Sequence, residues 1–142
     1  MGSEDQGWLA HFIINALKNE QITIYGDGKQ IRDLLYVGDL IDAYLLAVNN
    51  IDKTKGQVFN IGGGKENAVS LLTVINLIED ILLVEGILDR KIKLKFGKIR
   101  PGDQQIYVSD NTKLKNVLGF NVKTSYSRGI LNLIKWLQTQ TP

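Results

Sequence analysis

Residues 22 to 37 read Ile22-Thr-Ile-Tyr-Gly-Asp-Gly-Lys-Gln-Ile-Arg-Asp-Leu-Leu-Tyr-Val37, two β-prone runs on either side of a glycine turn. Gln21 to Tyr25 is a short extended run. Gly26-Asp27-Gly28 stops it, because glycine reaches the positive-φ conformations a tight turn needs. Ile31 to Val37 reads as extended again. Asp39 can then cap a helix through Leu40, Ala43, Tyr44 and Ala47.

Working outward, Trp8, Leu9, Phe12, Ile13, Ala16 and Leu17 fall at helical spacing. Downstream, Gly56 breaks the chain, and Val58-Phe59-Asn60-Ile61 reads as a short strand ended by Gly62-Gly63-Gly64. Ser70 can cap a helix through Leu71, Val74, Ile75, Ile78 and Leu82. Lys91 to Phe96 alternates charged and apolar residues, the pattern of a half-buried strand. Ile99 to Asp103 is a loop about Arg100-Pro101-Gly102, and Ile106 to Val108 is extended. Asp110 can cap a helix through Leu114, Val117 and Leu118 that Gly119 ends. Thr124 or Ser125 opens a last helix with Ile130, Leu133, Ile134 and Leu137 on one face. Helices with short strands between them predict an α/β fold.

The chain has 142 residues, enough for one domain with a real core. No window is long and apolar enough to span a bilayer, and the first residues lack the basic and apolar regions of a signal peptide. With no cysteine there is no disulfide or thiolate metal site, which fits the cytoplasm. The single histidine, His11, rules out a histidine-rich metal centre and reads as an ordinary helix residue. The formal net charge of +2 with scattered lysines does not make a nucleic-acid-binding face.

Three patterns invite chemistry that the residues around them do not support. Tyr25-Gly-Asp-Gly-Lys29 has the Tyr-x-x-x-Lys spacing of a catalytic pair. That pair needs both side chains one turn apart on a helix, and two glycines and an aspartate make a turn instead. Gly62-Gly63-Gly64-Lys65 suggests a phosphate loop, but Glu66 follows the lysine and Asn67 stands where Gly-x-Gly-x-x-Gly needs its third glycine. It reads as a flexible turn. Glu79 and Asp80 are adjacent on a helix, point different ways and read as a solvated face. No nucleophile stands with a base, so the stretch has no catalytic residues of its own.

Two arginines stand apart. Arg32 lies in an extended apolar run before Asp33, and Arg100 precedes Pro101-Gly102-Asp103 on a loop. A guanidinium is a planar fork that can grip phosphate oxygens bidentately, and two on separate segments could meet at a diphosphate. On pattern alone, each could equally pair with a neighbouring carboxylate, Asp33 or Asp103.

Four stretches resemble the extended short-chain dehydrogenase/reductase superfamily, the NAD-dependent epimerases and dehydratases. They are Ser3 to Phe12; Ile22 to Val37; Val58-Phe-Asn-Ile-Gly-Gly-Gly-Lys-Glu-Asn-Ala-Val-Ser-Leu-Leu72; and Arg100-Pro-Gly-Asp-Gln-Gln-Ile-Tyr-Val-Ser-Asp110. The resemblance runs in order from about Glu4 to Trp136. Several motifs are shared by UDP-glucose 4-epimerases and dTDP-glucose 4,6-dehydratases. The combination Asp5-Gln-Gly-Trp8, Asn67-Ala-Val-Ser-Leu-Leu72 and Gly102-Asp-Gln-Gln105 is most similar to the CDP-paratose 2-epimerases, also called CDP-tyvelose epimerases.

That resemblance implies a substrate-binding, C-terminal portion of such an enzyme. Residues 3–36 and 65–139 would form the substrate-binding domain. Residues 37–64 would supply the last helix and strand of the cofactor domain. The partner implied is a nucleotide-diphosphate sugar, with Arg32 and Arg100 on the phosphates, Asp103 on the ribose and Tyr107 near the phosphate and sugar. Thr23 and Tyr25 would line the base and Leu71 would close over it. Gln6 and Trp8 would lie in the variable substrate loop. Gly38 departs from the acidic or polar residue usual there, which bears on the entry to the next helix.

The family's NAD-binding glycine motif and catalytic tyrosine do not occur in these 142 residues. NAD would belong to the intact parent, this stretch would bind none alone, and no metal is expected. The missing N-terminal half would be a partner, and an unpaired strand at 58–61 would be a template for homo-oligomers. A rival of another class is a stand-alone, non-catalytic module that binds nucleotide sugars or a partner protein.

Overall fold

A computed structural model describes residues 7–140, which form an α/β fold of two compact units. Of the described residues, the first unit comprises those within 7–30, 70–105 and 130–140, and the second comprises 31–69 and 106–129. The elements in chain order are α1 (Trp8–Leu17), β1 (Ile22–Tyr25), β2 (Ile31–Asp33), α2 (Val37–Asn49), α3 (Ile51–Thr54), β3 (Ala68–Ser70), α4 (Leu71–Val84), β4 (Leu94–Gly97), β5 (Ile106–Tyr107), α5 (Thr112–Leu118) and α6 (Tyr126–Gln140). No described helix is long and apolar enough to cross a membrane.

In the first unit, α1 packs on α4 and β1, and buries Phe12, Ile13 and Ala16. Asn19 ends α1 by taking a positive φ of 56°, a conformation asparagine tolerates, with its N–H on the Ala16 carbonyl. β1 pairs in parallel with β4, Ile22 opposite Leu94 and Tyr25 opposite Gly97. A parallel pair needs a long crossover, and α4 lies within it. Ser70 caps α4 as its sequence suggests, accepting the Thr73 N–H at 3.2 Å. Val74, Ile75, Ile78 and Leu82 are buried on α4, and Ile130, Ile134 and Leu137 on α6.

The second unit holds the sheet β3-β2-β5, with β2 and β5 parallel and Arg32 opposite Tyr107. Its apolar cluster is Ala43, Leu114 and Phe120, with Leu46, Phe59, Ile61, Leu118 and Val122 packed against it. Gly119 ends α5 at φ 70°, the left-handed position its sequence suggests.

Several local expectations are corrected. The extended run after Gly28 is paired only over Ile31–Asp33, and α2 begins at Val37, so Gly38 sits inside the helix. Asp39 does not cap α2. It is 3% exposed, and its carboxylate accepts the N–H groups of Lys123 (3.3 Å) and Thr124 (2.9 Å) and the Thr124 hydroxyl (3.2 Å). Asn111, not Asp110, occupies the N-cap of α5, although Asp110 accepts the Thr112 N–H at 2.9 Å. Glu79 is half-buried and accepts the Ile92 N–H at 2.7 Å, so it is not part of a solvated face.

Val58–Ile61 forms no strand. A strand is defined by its ladder, and this segment has no ladder partner among the described residues. Phe59 and Ile61 serve the second unit's apolar cluster instead, and the Val58 carbonyl accepts from Lys113 Nζ at 2.8 Å.

Replacing Asp39 by alanine removes a charged acceptor from three donors. Urea denaturation should show a loss of about 3 kcal/mol with an unchanged m-value. A loss near zero would mean that water replaces the carboxylate.

Candidate nucleotide-binding site

The residues singled out in the sequence divide between the two units. In the first, β1 ends at Tyr25 and the chain turns through Gly26 (φ 93°) and Gly28 (φ 75°). Asp27 Oδ1 closes the turn by accepting the Lys29 N–H at 3.0 Å. Tyr25 and Lys29 therefore share no helix, and a tyrosine–lysine catalytic pair is excluded at this position.

A β-carbon on Gly28 would lie 2.6 Å from Leu72 Cγ, so the turn packs directly on the start of α4. Backbone bonds fix this approach: Leu72 N–H to the Gly28 carbonyl at 3.1 Å, and Leu71 N–H to the Gln30 carbonyl at 3.2 Å. Leu71 is thus held at the first turn of α4, beside the end of β1.

The loop after β4 adds Arg100 and Asp103. The exposed Arg100 guanidinium lies over the Tyr25 ring, 3.9 Å from its centroid. A cation held over an aromatic face is attracted by the ring quadrupole. The Asp103 N–H bonds to the Arg100 carbonyl at 3.1 Å, a turn that Gly102 permits at φ 79°. Asp103 Oδ2 accepts from Gln30 Nε2 at 3.3 Å. Tyr25, Leu71, Arg100 and Asp103 are therefore gathered at one end of β1, about the glycine turn. Thr23 is half-buried on β1 opposite Lys95, and Trp8 opens α1 with its ring edge-on to Phe12 at 5.4 Å. Gln6 lies outside the described residues. His11 is an α1 residue within 3.1 Å of Asn15 Nδ2.

In the second unit, Arg32 and Tyr107 are register partners on β2 and β5. Partners in a parallel ladder direct their side chains to the same face of the sheet. Arg32 Nη1 donates to the Ile31 carbonyl at 2.8 Å, and the Tyr107 hydroxyl lies 3.5 Å from Ser109 Oγ. The neighbouring Asp33 is occupied by backbone: its Oδ2 accepts the N–H groups of Gly64 (2.9 Å) and Ser109 (3.0 Å).

The glycine row is not a flexible turn. A β-carbon on Gly63 would collide with the backbone of Leu34, and one on Gly62 with Ser109 and Asp33. These glycines allow chain to pack on chain. A single 3-10 turn, Lys65–Asn67, follows them, not a helix whose N-terminus could seat a pyrophosphate. At this row the residues do not fit a dinucleotide.

A cavity of about 590 Å³ lies beside this row in the second unit, between residues 63–67, 109–112 and 120–125. None of the nucleotide-sugar-binding residues that the sequence resemblance implies lines it. Its amides are committed to the fold: Asn67 bonds Thr124 O and Tyr126 N, and Asn111 bonds both the N–H and the carbonyl of Gly62. On its rim, Lys123 lies 2.7 Å from Asp42, whose hydrogen bond and charge raise the lysine's pKa. A residue in contact with Asp103 that the sequence did not reveal is Gln30, since nothing local marks a glutamine after a turn as buried.

Residues 1–62 match the NAD dependent epimerase/dehydratase family. The chain is 34% identical over 139 residues to CDP-paratose 2-epimerase of Salmonella typhi, covering 93% of this chain and 39% of that protein. It is 33% identical over 131 residues to dTDP-glucose 4,6-dehydratase 1 of Escherichia coli, covering 91% and 35%. Among solved structures, UDP-glucuronic acid 4-epimerase of Bacillus cereus, in complex with UDP-glucuronic acid and NAD, superposes with a TM-score of 0.82 at 28% identity, covering 96% of this chain and 41% of that one. The chain is a relative of the NAD-dependent epimerases and dehydratases, with the fold of the extended short-chain dehydrogenase/reductase epimerases. Its homologues are nucleotide-sugar epimerases and dehydratases, and it spans about two fifths of the length of those it matches.

The Thr112 hydroxyl and then its N–H hold the Asp110 carboxyl below its ordinary value. A depressed folded value stabilises the start of α5 above pH about 4 and loses that effect as pH falls through the lower folded value. An NMR titration of the Thr112 amide should therefore show its midpoint below that of a model aspartate. A midpoint at the ordinary value would contradict these hydrogen bonds between Thr112 and Asp110.

Proposed function

We propose that this chain is the sugar-nucleotide-binding portion of an NAD-dependent nucleotide-sugar epimerase of the CDP-paratose 2-epimerase type. The observation that carries the proposal is the stacking of Arg100 on Tyr25, with Asp103 on the same loop and Leu71 beside the same turn. An exposed guanidinium, a carboxylate and a strand end together suit a diphosphate, a ribose and a base. In this reading Arg100 and Arg32 grip the diphosphate, and Tyr107 lies near the phosphate and sugar. Asp103 takes the ribose hydroxyls, while Thr23, Tyr25 and Leu71 line the base. Trp8, with Gln6, belongs to the substrate loop.

The role of such a handle is positional. Binding energy from the nucleotide, remote from the reacting carbon, is used to orient the sugar. NAD, when bound, supplies the hydride acceptor. We assign its binding, and the catalytic tyrosine, to the part of the relatives' length that this chain does not span. The cytoplasm suits such an enzyme.

We also propose that residues 37–64 pack on that cofactor-binding part. On α2, Val37, Ile41, Tyr44, Leu45 and Val48 are each at least half exposed, and their spacing puts them on one side of the helix. Val58 is 80% exposed. In the chain alone, this surface and segment 58–61 would take up a second copy. Light scattering should give at least a dimer mass, and Ile41→Glu with Leu45→Lys should return it to the monomer. A wild-type monomer with rapid amide exchange across 58–61 would count against this association.

Calorimetric titration with CDP, UDP and dTDP tests the binding assignment and ranks the nucleotides. A dTDP preference would favour the dehydratase type, to which the chain is almost as similar. A charge-assisted contact is worth about 1.5–3 kcal/mol, so Arg100→Ala should weaken the preferred nucleotide about tenfold or more. Unchanged affinity would remove Arg100 from the site.

A further inference from the structure

Gln30 stands between the glycine turn and β2 and is 5% exposed. It joins three segments of the first unit. Its side-chain nitrogen donates to the Tyr25 carbonyl and to Asp103 Oδ2, and its own carbonyl accepts the Leu71 N–H. Gly26 makes room for it, since a β-carbon there would lie 2.9 Å from Gln30 Nε2. The other end of the amide is different: Oε1 is buried and has no hydrogen-bond partner among the described residues.

A buried acceptor without a partner is destabilising, and a methionine of similar length would fill the same space without one. Packing therefore does not account for an amide at this position. Its donor end does, because that nitrogen ties the carboxylate of Asp103, 73 residues further along the chain, to the end of β1.

We infer that Gln30 is a positioning residue for nucleotide recognition: by holding Oδ2 of Asp103 against the Tyr25 carbonyl, it presents this carboxylate to the ribose hydroxyls. The inference rests on the reading of Asp103 given under the proposed function. Gln30 does not itself touch the ligand. Its effect falls on the ribose and not on the diphosphate, whose contacts belong to the arginines.

The test compares CDP with 2′,3′-dideoxycytidine 5′-diphosphate by calorimetry on the full chain, in the wild type, Gln30→Glu, Gln30→Met and Asp103→Ala. Glutamate keeps the shape but turns the donor into an acceptor facing two oxygens. Methionine removes the donor and the charge together, and serves if the glutamate variant does not fold. The wild type should favour CDP about tenfold. Both Gln30 variants and Asp103→Ala should bring that preference close to one, while affinity for the dideoxy ligand changes little. A wild-type preference retained in the Gln30 variants overturns the inference, as does equal weakening of both ligands, which marks a merely structural role. A wild type that binds neither ligand overturns the binding reading itself, and the role of Gln30 in binding with it.

Discussion

One carboxylate oxygen, Oδ2 of Asp33, accepts the amides of Gly64 and Ser109, and the second unit is organised around those two bonds. The three segments they join are separated by 31 and 76 residues, so no local preference can bring them together. Hydrogen bonds to a charged acceptor are stronger than neutral ones, and a half-buried carboxylate without donors would be costly. The arrangement therefore has one good solution. Gly62 and Gly63 follow from it, because the chain must pass where any side chain would strike Asp33, Ser109 or the Leu34 backbone. The β2–β5 register follows too, and it sets Arg32 beside Tyr107. Asp39 repeats the device at the 123–124 segment.

The first unit uses neutral groups for the same end. The Gly28 and Gln30 carbonyls receive the first two amides of α4, which have no partner within their own helix. The helix is thereby docked on the turn by the groups that most need acceptors. Bringing α4 this close leaves no space for a side chain at Gly28. The turn glycines are thus fixed by packing as well as by their positive φ.

These two kinds of constraint explain what could be read from the sequence. Elements set by local chemistry were legible: the periodicity of α1, the Ser70 cap of α4, the Gly119 stop of α5 and the turn after Tyr25. Elements set by distant partners were not. Asp39 looks like a cap because caps are local, and nothing nearby shows that residues 123–124 will claim it. Val58–Ile61 has the composition of a strand, but a strand needs a neighbour, and composition does not supply one. Glu79 and the glycine row were misjudged for the same reason. Among the residues proposed for binding, Arg32, Arg100 and Asp103 stand in recognisable runs. Gln30 does not, because its burial comes from a loop 73 residues further on.

The placing of Arg100 shows how an exposed cation can still be a precise one. A free arginine side chain carries about 2 kcal/mol of rotamer entropy, part of which a ligand must overcome when it fixes the guanidinium. Stacking on Tyr25 restricts that freedom beforehand, and at an exposed site the stack itself contributes about 0.5–1 kcal/mol. Tyr25 is in turn held by its place at the end of β1 and by Gln30 on its carbonyl. The guanidinium therefore needs little ordering when an anion arrives, and the residue remains exposed. Burying the same charge would add a desolvation cost that a diphosphate would have to repay. A stacked, exposed arginine on a pinned strand end lessens both penalties, and on that ground the proposed binding of an anionic nucleotide is placed here and not at the cavity of the second unit.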